Sequence, residues 1–568
     1  MLRAPTSKHA YTNEWRATCT FLPSHHPDES PAYNHSASHD RSCGRGSNAT
    51  VAATSEPLQS SAVHSGEKRI AIIGLGAAGI SALRALVGLP KDLREGFIIT
   101  AFDDRESVGG LWVPQDTAPV PPLVPKTALY PGLRTNGPHP TVTVPNTTFE
   151  PETPLLAPRD AVWRYWQTVY NDIELPAGTT VKLQHAVTRA TWVGSGLGGE
   201  WHLNVLNLSS GDVATKVFDH LIAAPGPNHV PHIPTFVAQD QWLERDSRRV
   251  IMHAMWYRDQ KVFQNRIVLI LGGGPSGLDL ARHSSWSAQK VFWSRQESVG
   301  GSHLYDSPKG VESVPTLHLI NGTALPEVDF VILATGYEVT FPFLQEGGLL
   351  DEVERDIGLQ PDDHLTTNSR YVRPLYESTL SLDPRYPLGS LFFVGILRYY
   401  PTGLGCYAQG LFAAYTIARP SLLGPRSELL ASLRAREARV RAEFGVEMGK
   451  VGHRVDIGYG ASHGFEDKGP FQDLLVHSLR EHDPSLAGMP GIPPRGFNYT
   501  ERWRAYIIKH ALNVTYGWHA RLDSEGEGLD GWEGDYARGL RTEADYLDAV
   551  SRFLGWLKSK KVNSSLST

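Results

Sequence analysis

The stretch Lys68-Arg69-Ile70-Ala71-Ile72-Ile73-Gly74-Leu75-Gly76-Ala77-Ala78-Gly79 decides the fold. Residues 69–73 are a short apolar run of the kind that forms a fully buried parallel strand. The next six form a G-x-G-x-x-G turn, and Ile80–Leu86 continues as a helix. A second apolar strand, Phe97–Phe102, ends in Asp103. Each residue type has a physical reason to be there. Gly74 permits the tight turn, Gly76 lets the backbone approach a pyrophosphate, and Gly79 lets helix and strand pack closely. Ala77 and Ala78 open the helix, whose free N–H groups and positive dipole end suit phosphate. Asp103 is placed to accept hydrogen bonds from a ribose with a free 2′-hydroxyl. Strand, glycine turn, helix and acid in this order predict a dinucleotide site in a doubly wound α/β domain.

A second copy of the pattern starts about 200 residues later. Ile267–Leu271 is an apolar strand, Gly272-Gly273-Gly274-Pro275-Ser276-Gly277 repeats the fingerprint, and Leu278–His283 begins a helix. The strand after it ends in Ser294-Arg295 rather than in a carboxylate. An arginine there suits a ribose 2′-phosphate. The first site is therefore expected to take FAD or NAD, and the second NADPH. Further buried strands that end in glycine turns read within Phe218–Gly226, Val328–Tyr337 and Leu391–Gly395.

The 568 residues allow two to four domains. A charged fraction of 20% and a hydrophobic fraction of 41% are ordinary for a globular protein. A net charge of −6 gives no reason to expect a nucleic-acid partner. Three widely spaced cysteines, Cys19, Cys43 and Cys406, speak against a disulfide framework, a zinc site and a C-x-x-C reductase. No apolar run reaches the length of roughly 18 residues that a transmembrane helix needs. Residues 1–66 are rich in Ser, His, Thr and Pro without periodicity and read as a disordered extension. A cytoplasmic location follows, with a mitochondrial transit peptide as the alternative. Nothing speaks to oligomeric state.

Several segments lie between and after the fingerprints. Gly109-Gly110-Leu111-Trp112 offers a second close backbone approach and a flat indole. Thr135-Asn136-Gly137-Pro138 is non-regular, with an amide that can donate and accept. Residues 159–171 carry Val162, Trp163, Trp166 and Val169 at helical spacing. The tail reads as helical, with Leu429, Leu433, Val440 and Phe444 on one face. Near the end, Thr542-x-x-Asp545 resembles a capping box ahead of an apolar stripe from Tyr546 to Leu557.

Taken together, the order of these motifs resembles the flavin-containing monooxygenases, the class B flavoprotein monooxygenases, in a fungal, secondary-metabolism-like form. The resemblance runs from about Arg69 to Pro420 and includes Ala334-Thr335-Gly336-Tyr337 and the Gln409 segment. The family motif F-x-G-x-x-x-H-x-x-x-Y/W is only partly kept: His253 and Tyr257 match, while Ser247 and Arg249 stand at the F and G positions. The resemblance implies an NADPH-dependent FAD monooxygenase that acts on a small molecule and O2 through a C4a-hydroperoxyflavin. N- or S-oxygenation is favoured. Baeyer–Villiger oxidation or carbon hydroxylation is the alternative, and a non-oxygenating oxidase or redox sensor the rival class. By the same resemblance, Asn136 and His253 would be catalytic. Gly74, Gly76, Ala77, Ala78, Gly79, Asp103, Gly110, Leu111, Trp112, Thr135, Asn136 and Gln409 would hold FAD. Gly272, Gly274, Pro275, Ser276, Gly277, Ser294 and Arg295 would hold NADPH. No residue is expected to bind metal. The implied layout is a FAD-binding domain over 67–247 and 338–425, an NADPH-binding domain inserted at 248–337, and a helical region over 426–568.

Overall fold

The computed structural model describes residues 66–195, 198–236, 239–295, 310–315, 328–354, 362–454, 470–525, 531–537 and 539–559. The extension expected over 1–66 lies outside them except for Gly66.

Two sheets carry the structure. The first is built from β1 (Lys68–Ile73), β2 (Phe97–Phe102), β3 (Thr179–Lys182) and β7 (His220–Ala223). Helices α1 (Ala77–Val87) and α2 (Arg159–Asn171) and the antiparallel strands β4 (His185–Val193), β5 (Glu200–Asn207) and β6 (Val213–Phe218) intervene. The chain then leaves this sheet and forms a second one. That one contains β8 (Val250–His253), β9 (Ile267–Leu271), helix α3 (Pro275–Ser285), β10 (Lys290–Arg295), β11 (Val311–Pro315) and β12 (Phe330–Leu333). It is parallel throughout, in the order β11-β10-β9-β12-β8.

The chain returns to the first sheet with β13 (Leu375–Tyr376), β14 (Leu380–Ser381) and β15 (Leu391–Phe393). The completed order is β13-β14-β15-β7-β1-β2-β3, with β15 to β3 parallel. The second sheet is thus an insertion in the first. The tail adds α4 (Thr402–Ala418), α5 (Arg426–Phe444), α6 (Phe471–His482), α7 (Arg502–Glu525) and α8 (Glu543–Ser559).

Period-two alternation explains the layering. On β1, Ile70 and Ile72 face a core formed with α1, α2, α4 and α6. Ala71 and Ile73 face the other way, onto Trp201, Leu203 and Val205 of the antiparallel sheet. One face of the first sheet is therefore covered by helices and the other by a β-meander. Both are dry, which is why β1 reads as a continuous apolar run. In the second sheet, Val268 and Ile270 pack with Leu278 and Ala281 of α3, while Leu269, Val331 and Leu333 form the opposite face.

The tail helices form their own core. Trp503, Trp518, Tyr546, Val550 and Phe553 pack together with Leu155 and Leu156. The capping box is reciprocal: the Thr542 N–H donates to the Asp545 carboxylate at 2.7 Å, and the Asp545 N–H donates to the Thr542 hydroxyl at 3.3 Å. No helix among the described residues is long and apolar enough to cross a membrane.

Candidate active site

Both glycine turns open onto one cavity of about 1460 Å³. That exceeds the 300–1,000 Å³ or so of a pocket for a single drug-sized ligand. From the first turn the lining takes Gly74, Gly76, Ala77 and Ala78, and from the second Gly272, Gly274, Pro275 and Ser276.

The first cradle is built by close approach. A methyl group on Gly79 would lie 1.7 Å from the Gly74 carbonyl oxygen, and one on Gly110 would lie 2.6 Å from the Gly76 Cα. Neither position tolerates a side chain, so the backbone itself is the surface. The residue before α1 is Gly76 and the residue before α3 is Gly274; no side chain caps either helix, and neither first turn carries an acid. Both N-termini thus present main-chain donors where a phosphate would sit. Asp103 lines the cavity and is 6% exposed. Its carboxylate accepts the Leu75 N–H at 2.6 Å and the Arg105 N–H at 2.9 Å. Burial raises its pKa above the usual range, against these two bonds. Each oxygen keeps a further lone pair for a ribose hydroxyl. The acid therefore also holds the glycine turn in shape.

At the second cradle, β10 extends to Arg295, so this residue is the last of the strand. Arg295 lines the cavity, with its guanidinium stacked 4.3 Å over the Trp293 ring. The Trp293 indole donates to the Gly272 carbonyl at 2.8 Å. Ser294 and Gly277 are buried behind the turn, and neither lines the cavity. The Ser294 carbonyl takes the Gly272 N–H at 3.0 Å. The set fits two dinucleotides: bare helix termini, side-chain-free turns, one acid and one stacked arginine.

Leu111, Trp112, Thr135 and Asn136 also line the cavity. Asn136 is exposed to it, and its carbonyl accepts the Thr515 hydroxyl of α7 at 2.9 Å. Arg504, also on α7, donates to the Pro140 carbonyl at 3.0 Å. Ile508, Ala511 and Leu512 of the same helix face the cavity. The tail thus holds the loop that carries Asn136.

Two further residues expected at the cofactors lie outside the cavity lining, as Gly79 also does. His253 does not line the cavity and is 3% exposed. Its Nδ1 accepts the Met255 N–H at 3.1 Å, which puts the proton on Nε2, 3.1 Å from the Gly336 carbonyl. Burial lowers its pKa to about 4, so the ring is neutral. It is a positioning residue that ties the end of β8 to Gly336. Gln409 is fully buried, takes the Gly395 N–H on Oε1 at 3.0 Å and donates to the Thr379 hydroxyl at 2.9 Å. Gly395 reaches the cavity and Gln409 does not. Tyr257, the last residue of the partly kept motif, does line the cavity, and its hydroxyl pairs with His283 Nδ1 at 2.8 Å. Ser247 and Arg249 stand away from the cavity, where Arg249 stacks on Trp242.

The sequence reading missed Asp279 and Tyr130, both in the lining, whose side chains share a 2.6 Å hydrogen bond. A carboxylate between Leu278 and Leu280 on a buried helix was the available signal.

The flavin-binding monooxygenase-like family matches residues 67–305. That match covers less than half of the 568 residues and takes in both glycine turns. The match supports a flavin-dependent oxidoreductase of the monooxygenase type, with FAD and NADPH as cofactors. Among curated relatives it is 26% identical over 314 residues to the thiol-specific monooxygenase of Saccharomyces cerevisiae, covering 53% of this chain and 67% of that one. It is 24% identical over 351 residues to the senecionine N-oxygenase of Tyria jacobaeae, covering 59% and 68%. These alignments span about two thirds of each relative. The fold resembles the S-allyl-L-cysteine S-oxygenase of Allium sativum, with a TM-score of 0.60 at 21% identity over 86% of this chain and 98% of that one.

Proposed function

We propose that this protein is an NADPH-dependent FAD monooxygenase that places one atom of O2 on a soft sulfur or nitrogen of a small organic substrate. The observation that carries the reading is the one cavity into which both glycine cradles open, with Asn136 also in its lining. Relatives named as a thiol-specific monooxygenase and an N-oxygenase support it.

Bound flavin, reduced by nicotinamide, supplies the oxygen-activating ring. The chain does the rest by position. Gly74, Gly76, Gly110 and the α1 N-terminus hold one pyrophosphate, and Asp103 accepts from its ribose. Gly272, Gly274, Pro275, Ser276 and the α3 N-terminus hold the other, with Arg295 on the 2′-phosphate. Leu111 and Trp112 give an apolar flank. Asn136 offers an amide donor at the reacting edge, fixed in place through Thr515. The apolar face of α7, with Ile508 and Leu512, keeps water from that edge.

The test is turnover under ¹⁸O2 with NADPH and a panel of thioethers, tertiary amines and ketones. A sulfoxide or N-oxide carrying one ¹⁸O, formed in step with NADPH oxidation, is the expected result. A labelled ester from the ketone would establish the Baeyer–Villiger alternative. Peroxide as sole product with every substrate would overturn the oxygenase reading.

A further inference from the structure

Asp279 is out of place in a site that holds only phosphate. It stands about one turn into α3, about 6 Å along the axis from Pro275. It lines the cavity together with Gly274, Pro275 and Ser276. A carboxylate there repels a pyrophosphate at the same helix end and loses hydration as the site fills. Burial already pushes its pKa up, against the Tyr130 hydrogen bond and the charge of Arg282. Asp103 and Asp104, the other described carboxylates of the lining, belong to the first cradle.

The carboxylate is held in one direction. The Tyr130 hydroxyl donates to Asp279 Oδ2 at 2.6 Å. Tyr130 is itself packed, with its ring edge-to-face on Tyr257 at 5.0 Å and on His283 at 5.2 Å. One turn further along α3, the Arg282 guanidinium donates to His519 Nδ1 at 2.7 Å, which fixes α3 against α7. Tyr130 occupies one carboxylate oxygen. Oδ1 makes no hydrogen bond among the described residues. A half-buried acceptor with free lone pairs therefore remains in the cavity lining.

We propose that Asp279 accepts a hydrogen bond from the nicotinamide half of NADPH, and that Tyr130 is the positioning residue that aims it. The phosphates of the dinucleotide offer no donor, whereas the nicotinamide half offers ribose hydroxyls and a carboxamide N–H. Two neighbours orient the site. Arg295 stands at the glycine turn, where a Cβ on Gly273 would lie 3.4 Å from its own, and it takes the adenosine end. Asp279 stands against Tyr130, from which the lining runs through Leu133 and Arg134 to Asn136. The inference rests on reading the second cradle as the NADPH site and is independent of the oxygen-transfer step.

Titration calorimetry on the flavin-loaded protein would compare NADP⁺ with 2′,5′-ADP, which lacks the nicotinamide half. Asp279→Ala should raise the Kd for NADP⁺ at least about tenfold, as expected for a charge-assisted hydrogen bond, and that for 2′,5′-ADP by less than about twofold. Asp279→Asn keeps an oxygen for Tyr130 but turns an N–H toward the ligand, so it should lose nearly as much. Tyr130→Phe should lose less. The 3-acetylpyridine analogue of NADP⁺ then identifies the donor: weak binding to the unsubstituted protein gives it to the carboxamide, and a tight binding that Asp279→Ala abolishes gives it to the ribose. An unchanged Kd for NADP⁺ in Asp279→Ala, or an equal rise for NADP⁺ and 2′,5′-ADP, would overturn the inference. So would full NADP⁺ affinity in Asp279→Asn beside a loss in Tyr130→Phe, which makes the pair a clasp and no more. Binding of 2′,5′-ADP that Arg295→Gln abolishes upholds the NADPH reading whatever Asp279 does, and a protein that binds neither ligand would overturn that reading and the inference with it.

Discussion

Lowering the pH should destabilise this protein steeply, and the reason is a set of buried imidazoles. Burial is the first cause that lowers the pKa of His139, His453 and His519 to about 3, and of His253 and His283 to about 4. The sign follows from linkage. A histidine whose folded pKa lies below its unfolded value contributes stability that is fully present above pH 6.5 or so and is lost as pH falls toward the folded pKa. At pH 6 each unfolded imidazole is about three-quarters protonated and each folded one almost unprotonated, so these five alone take up roughly four protons on unfolding. At about 1.4 kcal/mol per pH unit per proton, a drop from pH 6.5 to 5.5 removes about 5 kcal/mol. That is a large share of the roughly 5–15 kcal/mol that holds a protein folded. Asp103 and Asp279, whose pKa values burial raises, act in the opposite sense as they titrate. Proton uptake can be read directly by unfolding in urea at pH 6 in weakly buffered solution, which does not require refolding. An uptake below one proton, or a urea midpoint that is flat between pH 6.5 and 5.5, would refute the reasoning.

Three substitutions test other parts of the structure. Gly79→Ala should strip the protein of flavin, because its methyl group would sit 1.7 Å from the Gly74 carbonyl and force α1 off the first turn; full flavin absorbance after gel filtration would contradict this. Arg295→Gln should raise the KM for NADPH by about tenfold or more and that for NADH by less than about twofold, the loss of a charge-assisted contact to one phosphate; equal changes would remove the 2′-phosphate role. Gly555→Ala should stabilise α8 by about 0.8–1 kcal/mol through helix propensity, because Gly555 is exposed mid-helix with nothing within 4 Å of a new Cβ. An unchanged or lowered urea midpoint would count against the helical assignment there.

What could be read from the sequence was local. The strand–glycine–helix units at 68–87 and 267–285, the helix over 159–171 and the Thr542–Asp545 capping box all depend on residues a few positions apart. Periodicity and turn chemistry therefore announce them. What could not be read was assembled over distance. Arg370, Arg398 and Arg454 sit in unremarkable loops, and only the main-chain contacts around His453 bring them to the lining of one cavity. Thr515 and Arg504 look like ordinary helix residues until α7 is laid against residues 136–140. His253 and Gln409 stand behind the lining for a different reason. Their motifs suggested cofactor contact, but a buried polar side chain must first satisfy its own hydrogen bonds, and the nearby main-chain groups of Met255, Gly336 and Gly395 claim them.

The grip of α7 on the Asn136 loop has a consequence for how such a chain diversifies. The part matched by the family ends at residue 305, whereas the helix that covers the reacting edge begins at Arg502. On the proposed reading, the two glycine cradles and the helix over the reacting edge are written in separate stretches of the gene, joined through a hydroxyl and a guanidinium on one side and a few carbonyls on the other. Drift in the tail can reshape what enters the site while the cradles stay untouched. A tail exchanged between two relatives would carry its selectivity with it, so long as the partners of Thr515 and Arg504 travel in the same graft.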